Sequence, residues 1–486
     1  MGSRPSPGGK RPSQRRELDP DCARGDAFAR RALASLQEGG LCDGRQDGRS
    51  RCARGPPRRA RALPSGSPTA GDRDGAGPSP DRLRRLGPPR PRRRRKAGPR
   101  RLPARAWRLG RVIYLDHNAS SLLDPRVRDA FLRGLEEGWA NPSSLHAPGR
   151  RSRALVEEAR ERVAALLGVA PGQVTFTSSG TEALNQALET VCCGPDPVPV
   201  VASAVEHPAV RGKLDQLQEQ GRAQVREAPV DGDARLRLEA FAELLPGARL
   251  AALVAAQNEV GTVQPVEEAG AACAVARVPL LLDATQAVGR LDRDWGALPW
   301  DYLVLSGHKL RAPRGAAALV HRRLAPTPLP LVLGGGQERG RRAGTEAVAS
   351  IVALGEACRL AAAGELFDPP GLRARREAFE AELLARVKGL TVLARGVERL
   401  PQTTAVCVPS RTSEALLAGL DLRGVCASSG SACSSGAALP SHVLAAMGVP
   451  AALARGRLRF SFGPETTSAQ LSAAATALAE VCAAAS

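Results

Sequence analysis

At 486 residues, the chain has room for two or three domains. Its formal net charge of +20 is unevenly spread: residues 1–110 carry 29 Arg and Lys against 10 Asp and Glu, and the remainder 40 against 39. That distribution excludes a uniformly basic globular surface, and no apolar run reaches the ~18 residues that a membrane-spanning helix needs.

Residues 1–110, rich in Arg, Pro and Gly as in "RPRRRRKAGPRR", offer little apolar periodicity. Such a stretch cannot bury enough surface to offset its ordering entropy, so a basic disordered tail is expected, with a short helix around "CARGDAFARRALASLQE" the one candidate element. Phosphate contacts to nucleic acid would suit it, although it lacks the interleaved aromatics of a base-stacking platform. A true translation start near Val112 is the other reading, and no methionine lies between Met1 and Met447 to arbitrate. The N-terminus has no apolar core of a signal peptide, and its prolines oppose the amphipathic helix of a transit peptide. The eleven cysteines are scattered, without paired CxxC spacing. That suits reduced thiols in the cytoplasm better than a disulfide framework or a zinc site.

From Ile113 onward, helical and strand-like stretches alternate. "SRALVEEARERVAALLG" carries apolar residues at helical spacing and stops at Gly168. "QVTFTSSG" reads as a strand entering a turn, with "TEALNQALETV" the helix behind it. "PVVAS", "LAALVAAQN", "VPLLLDATQ" and "DYLVLSG" are apolar runs that close in polar residues. Strands buried on both faces look like this, so the expected fold is α/β, with a mostly parallel sheet covered by helices on both sides. Ligands of such sheets sit beyond the carboxyl ends of the strands, where these polar residues fall. After about residue 365 the pattern changes to "LRARREAFEAELLARV", "TTAVCVP", "LRGVCASS" and "RGRLRFSFG". The expected division is a large domain over 111–365 and a smaller α+β domain over 366–486, joined near "FDPPG", with residues 111–125 contributing to the smaller one.

Lys309 is one of only five lysines beside 64 arginines. Arginine supplies permanent charge, whereas a neutral amine able to form an imine requires lysine. Three other features lie at strand ends. "TSSGTEALN" opens a helix whose free N–H groups favour a phosphate, or is a plain cap. Asp283 ends an apolar run and needs a partner, either a protonated ring nitrogen or a structural donor. His207 would stack on an aromatic cofactor or move protons, or would cap a helix. Phosphate cradle, buried acid, histidine and imine-forming lysine together describe a pyridoxal phosphate site.

The motifs "YLDHNASS", "NPSSLH", "TFTSSGTEALN", "VEHPAV", "QNEVGTVQP", "DATQAVG", "SGHKLRAPRG", "GGGQERGRRAGTEAV" and "SSGSACSSG" resemble, in order, those of cysteine desulfurases of the class V aminotransferase family. The resemblance covers the chain from about residue 113 onward and none of the tail. It implies a fold-type I pyridoxal phosphate enzyme with a seven-stranded-type sheet, normally a homodimer. By motif position, Lys309 would hold the cofactor through its ε-amine. Asp283 would pair with the ring nitrogen and His207 would stack on the ring. Asn258 and Gln286 would lie by the phenolic oxygen. Thr181, Ser306 and His308 would bind the phosphate, with Thr345 reaching it from a partner subunit. Arg459 would grip the substrate carboxylate, a task suited to a guanidinium fork.

Cys433 lies in a Ser-, Ala- and Gly-rich stretch able to carry a thiol some distance, whereas Cys407 and Cys426 sit in apolar runs that suit buried thiols. The resemblance makes Cys433 the persulfide-forming residue of an enzyme that converts L-cysteine to L-alanine. Lys309 would move the α-proton, and His207 would act as donor or acceptor. The sulfur acceptor would be an iron–sulfur scaffold or a tRNA-thiolating enzyme. A selenocysteine lyase or related β-eliminating lyase would need nearly the same site, and a nucleic-acid-associated protein acting through its tail is the reading from another class. The sequence departs from the family pattern at Ala312, where glycine is usual, at Ser120 and Ser121 for two threonines, at Ala347 for a frequent asparagine, and at the added charge of Arg341.

Overall fold

The computed structural model describes residues 112–322, 325–430 and 441–484, so the N-terminal tail and Cys433 lie outside the described residues. Strand β1 (Ile113–Tyr114) leads through a polar loop to helix α1 (Pro125–Glu137), which Asp124 caps by accepting a bond from the Arg126 N–H. Helix α2 (Ala147–Leu167) ends at Gly168, where a φ of 64° suits a residue without a Cβ.

Strands and helices then alternate. In chain order they are β2 (Val174–Thr177), α3 (Gly180–Val191), β3 (Val198–Ser203), α4 (Pro208–Glu219), β4 (Ala223–Ala228), α5 (Leu238–Leu244) and β5 (Leu250–Val254). Next come α6 (Val266–Ala276), β6 (Leu280–Asp283), β7 (Tyr302–Ser306) and β8 (Ala317–His321). The seven strands β2–β8 form one sheet in the order β2-β8-β7-β6-β5-β3-β4. β8 is antiparallel to both neighbours, and every other pairing is parallel. The expected mostly parallel sheet is therefore present.

Alternation along the central strands sorts their side chains to two cores. Leu253, Leu282, Leu303 and Leu305 join one cluster with residues of α1 and α2, while Ala252, Leu281, Tyr302 and Val304 join a second with α3 and α4. Burial on both faces is why these strands read as continuous apolar runs. The run criterion misses β4, an edge strand whose four middle residues are partly or fully exposed.

The remaining chain forms α7 (Val348–Ala362), α8 (Pro369–Arg386), β9 (Thr391–Val392), β10 (Thr403–Cys407), α9 (Ser413–Asp421) and β11 (Val425–Cys426). It ends with α10 (His442–Ala446), α11 (Ala451–Ala454), β12 (Arg457–Ser461) and α12 (Ser468–Ala484). β12, β10 and β9 make an antiparallel sheet, and β11 pairs in parallel with β1. "FDPPG" is more than a joint between lobes: Leu366 and Phe367 are buried, Asp368 caps α8 and Pro369 opens it. No helix among the described residues is long and apolar enough to cross a membrane.

Candidate active site

The carboxyl ends of the parallel strands point into one cavity of about 260 Å³. Four of the five parallel strands deliver a polar residue at or just past the last position: β3 leads to His207, β5 to Asn258, β6 to Asp283 and Gln286, and β7 to Ser306, His308 and Lys309. Thr181 enters from the first turn of α3, and Arg459 from β12. Nine of the ten described residues expected from the sequence thus line one cavity. Thr345 does not; it lines a separate pocket with Ser178, Glu338 and Arg342.

Lys309 lies in a single 3-10 turn immediately after β7, with Gly307 O accepting bonds from the N–H groups of Leu310 and Ala312. Its ε-amine donates to the carbonyls of Asn118 and, at 3.0 Å, Ala119 in the β1–α1 loop. Ala312 is absent from the residues of positive φ, whereas Arg311 has φ 56°. Alanine therefore meets no backbone strain at the position where the family often has glycine.

Asp283 is buried, and its Oδ1 accepts a bond of 3.0 Å from the Thr285 N–H. His207 caps α4, its Nδ1 accepting from the Ala209 N–H at 3.1 Å, while its ring lines the cavity. The capping reading of this histidine is realised, and the same residue is placed on the cavity. With Nδ1 an acceptor, the neutral ring carries its proton on Nε2. Burial pushes the His207 pKa down, Asp283 opposes that shift and Lys309 reinforces it. His308 is driven down to about 4, chiefly by burial and then by Lys309, Arg314 and Arg290.

The Gln286 side-chain N–H donates to Asn118 O at 2.9 Å, and its Oε1 accepts from Arg290. The Arg459 guanidinium contacts Asp116 Oδ1 at 2.6 Å, Asn258 O at 3.0 Å and Gly430 O at 3.3 Å. Asn118, Asp116 and Thr285 belong to this site and were not singled out by sequence reasoning. All three fall inside the quoted motifs "YLDHNASS" and "DATQAVG", where their polar side chains beside apolar runs were the available signal.

The donor set fits pyridoxal phosphate. Thr285 Oγ1 and His308 Nδ1 are buried without a hydrogen-bond partner, and both residues line the cavity beside the first turn of α3. Orphaned polar groups at a helix N-terminus suit a phosphate. The Asp283 carboxylate at the end of β6 suits a protonated ring nitrogen, and Lys309 can meet an aldehyde. Cys407 is fully buried and its thiol is pushed up to about 11 by burial, as its apolar run suggested, while Cys426 is partly buried and also raised.

Comparison with known proteins identifies the family. Residues 113–473 match the family model for aminotransferase class V. A cysteine desulfurase of Cereibacter sphaeroides is 42% identical over 362 residues, covering 74% of this chain and 92% of the relative. The cysteine desulfurase NifS of Azotobacter vinelandii is 39% identical over 362 residues, 74% of this chain and 90% of its own. Among solved structures, a NifS-like protein from Rickettsia africae superposes with a TM-score of 0.69 at 30% identity, covering 76% of this chain and 99% of that one. The fold is that of the pyridoxal phosphate-dependent transferases. Within that class, the chain belongs to the class V aminotransferase family.

Proposed function

We propose that the protein is a pyridoxal phosphate-dependent cysteine desulfurase that converts L-cysteine to L-alanine and retains the sulfur on Cys433 as a persulfide. The observation that carries this reading is the convergence of Lys309, Asp283, His207 and Arg459 on one cavity. When bound, pyridoxal phosphate supplies an aldehyde for an amine and a ring that withdraws electrons from the substrate. Thr181, Ser306 and His308 would hold its phosphate, with Thr285 as a further donor, and Asp283 would keep the ring nitrogen protonated. Asn258 and Gln286 would serve the phenolic oxygen, and the imidazole of His207 would pack on the ring.

Arg459 orients the substrate carboxylate, and the Lys309 amine takes up the α-proton. The Cys433 thiolate attacks the substrate sulfur, so that an S–S bond forms as the C–S bond breaks. The carbon keeps the bonding pair and takes a proton, for which His207 Nε2 is the available donor. Atoms balance without an external oxidant: thiol plus L-cysteine gives persulfide plus L-alanine. Gly430, three positions before Cys433 in the sequence, lines the cavity.

A homodimer is proposed with the same reading, because Trp139, Leu145 and Leu333 are large apolar side chains left strongly exposed, and Thr345 lies outside its own chain's cavity. Thr345 of a second copy would complete the phosphate site. The cytoplasm is the proposed compartment, since the seven described cysteines are all free thiols. An iron–sulfur scaffold or a tRNA-thiolating enzyme would take the sulfur.

The test is to reconstitute the purified protein with pyridoxal phosphate, add L-cysteine, and measure alanine release together with the mass of the Cys433 peptide. Alanine formation with one added sulfur on that peptide supports the reading. Alanine formation that survives Cys433→Ala at the full rate would replace it with simple elimination, and a marked preference for L-selenocysteine would make it a lyase.

A further inference from the structure

Arg290 is a buried cation that no part of the proposed chemistry uses. It is 1% exposed, and no carboxylate among the described residues forms an ion pair with it. A buried charge without a counterion carries a desolvation penalty of several kcal/mol, so a purely structural role would be served better by a neutral donor. Its bonds instead run to the candidate site. One guanidinium nitrogen donates to Gln286 Oε1 and, at 3.3 Å, to Gln286 O. The other donates at 2.9 Å to Ser121 Oγ and at 2.9 Å to the Lys309 carbonyl. The guanidinium also lies over the Phe367 ring, 5.4 Å from its centroid.

Three chain segments thus meet on one side chain: the loop after β6, the turn of Lys309 and the β1–α1 loop. The backbone is arranged to allow it. Gly289 has a φ of 75°, and a Cβ there would come within 2.9 Å of the Leu310 side chain, next to Lys309. Gln286, oriented by Arg290, donates in turn to Asn118 O, which also accepts from the Lys309 ε-amine.

We propose that Arg290 is a positioning residue of the Lys309 site, whose guanidinium sets Gln286 and the lysine turn in one register and whose uncompensated charge biases the cavity toward an anionic cofactor. The inference rests on the pyridoxal phosphate reading for its ligand. The charge acts on the site's own histidines as well: together with burial, Lys309 and Arg314, Arg290 holds His308 in its neutral form, and it is the foremost charge lowering His117, ahead of Arg311.

Two variants separate geometry from charge. Arg290→Gln keeps a hydrogen-bond donor and removes the charge, whereas Arg290→Lys keeps the charge and loses the fork. The first readout is the titration of His308 in cofactor-free protein, followed by NMR with isotope-labelled histidine and assigned by His308→Gln. The second is the dissociation constant for pyridoxal phosphate. In Arg290→Gln, the His308 midpoint is expected to rise and cofactor affinity to fall about tenfold or more. In Arg290→Lys, the midpoint stays near wild type while affinity falls. Arg290→Gln protein that keeps both values within twofold of wild type overturns the proposal. If Arg290→Gln does not fold, Arg290→Lys decides: weakened cofactor binding with an unmoved midpoint supports it, and wild-type affinity overturns it. Wild-type protein that binds no pyridoxal phosphate would overturn the cofactor reading instead, and the His308 titration would still report on Arg290.

Discussion

The Asp116 carboxylate lies 2.6 Å from Arg459, joining the loop after β1 to the strand that carries the guanidinium. The same side chain reaches the carbonyls of Asn258 and Gly430, so its fork is fixed before any substrate arrives. Lysine at this position keeps the charge and cannot reproduce three directed bonds while gripping a carboxylate. Arg459→Lys is expected to raise KM for L-cysteine about tenfold or more, with kcat changed less. Steady-state alanine release measures both constants, and an unchanged KM would remove Arg459 from the substrate site.

His207 performs two tasks that substitution can separate. Its Nδ1 caps α4 and its ring lines the cavity. Asparagine is among the strongest N-caps, so His207→Asn is expected to keep thermal stability within about 0.5 kcal/mol while lowering kcat by about 100-fold. His207→Ala loses both tasks and is expected to be less stable by a further ~1 kcal/mol. Equal activity in His207→Asn and wild type would leave the histidine a cap and nothing more.

Glu206 is fully buried beside these groups. Its Oε1 accepts from the Val254 N–H at 2.7 Å, and Oε2 has no partner. Burial pushes its pKa up to about 8; the Val254 bond opposes the shift and Asp283 adds to it. With the folded pKa above the unfolded one, the folded state binds the extra proton between pH 4.5 and about 8. The stability this group contributes is therefore complete at acidic pH and is lost as pH rises through that window. Glu206→Gln keeps the acceptor and cannot ionise. Relative to wild type, its stability is expected to improve with pH by up to about 1.4 kcal/mol per unit. Denaturant midpoints at pH 5, 6.5 and 8 test this, and parallel curves for the two proteins would contradict it.

Much of this architecture was legible in the chain because the central strands are buried on both faces, which writes them as apolar runs with polar residues at their ends. Asp283 could be found for that reason, whereas Lys309 stood out as one of five lysines beside 64 arginines and Ser306 came with the family resemblance. β4 was not legible, since an edge strand needs no continuous apolar pattern. Arg290 was hidden by its residue type: among 64 arginines, nothing local marks one that folding buries without an acid. Asp116 required a contact with Arg459 across 343 positions of sequence, which no local pattern encodes.

The same limit applies to Thr345, whose proposed task lies outside its own chain. Two ion pairs fix the segment before it. Glu338, buried and held at φ 49°, accepts bonds from Arg160 at 2.7 and 2.8 Å, and Arg342 reaches Glu182 on α3 at 2.9 Å. A segment held this firmly will not swing Thr345 into its own cavity, so its hydroxyl serves a second copy or no site at all. In a homodimer with shared sites, Lys309→Ala and Thr345→Ala subunits complement each other. The hybrid has one site with both defects and one with neither. Random mixing makes half of the dimers hybrid, so refolding equal amounts of two impaired variants is expected to restore about a quarter of wild-type alanine release. If Thr345 acted within its own chain, the mixture would give only the average of the two parents.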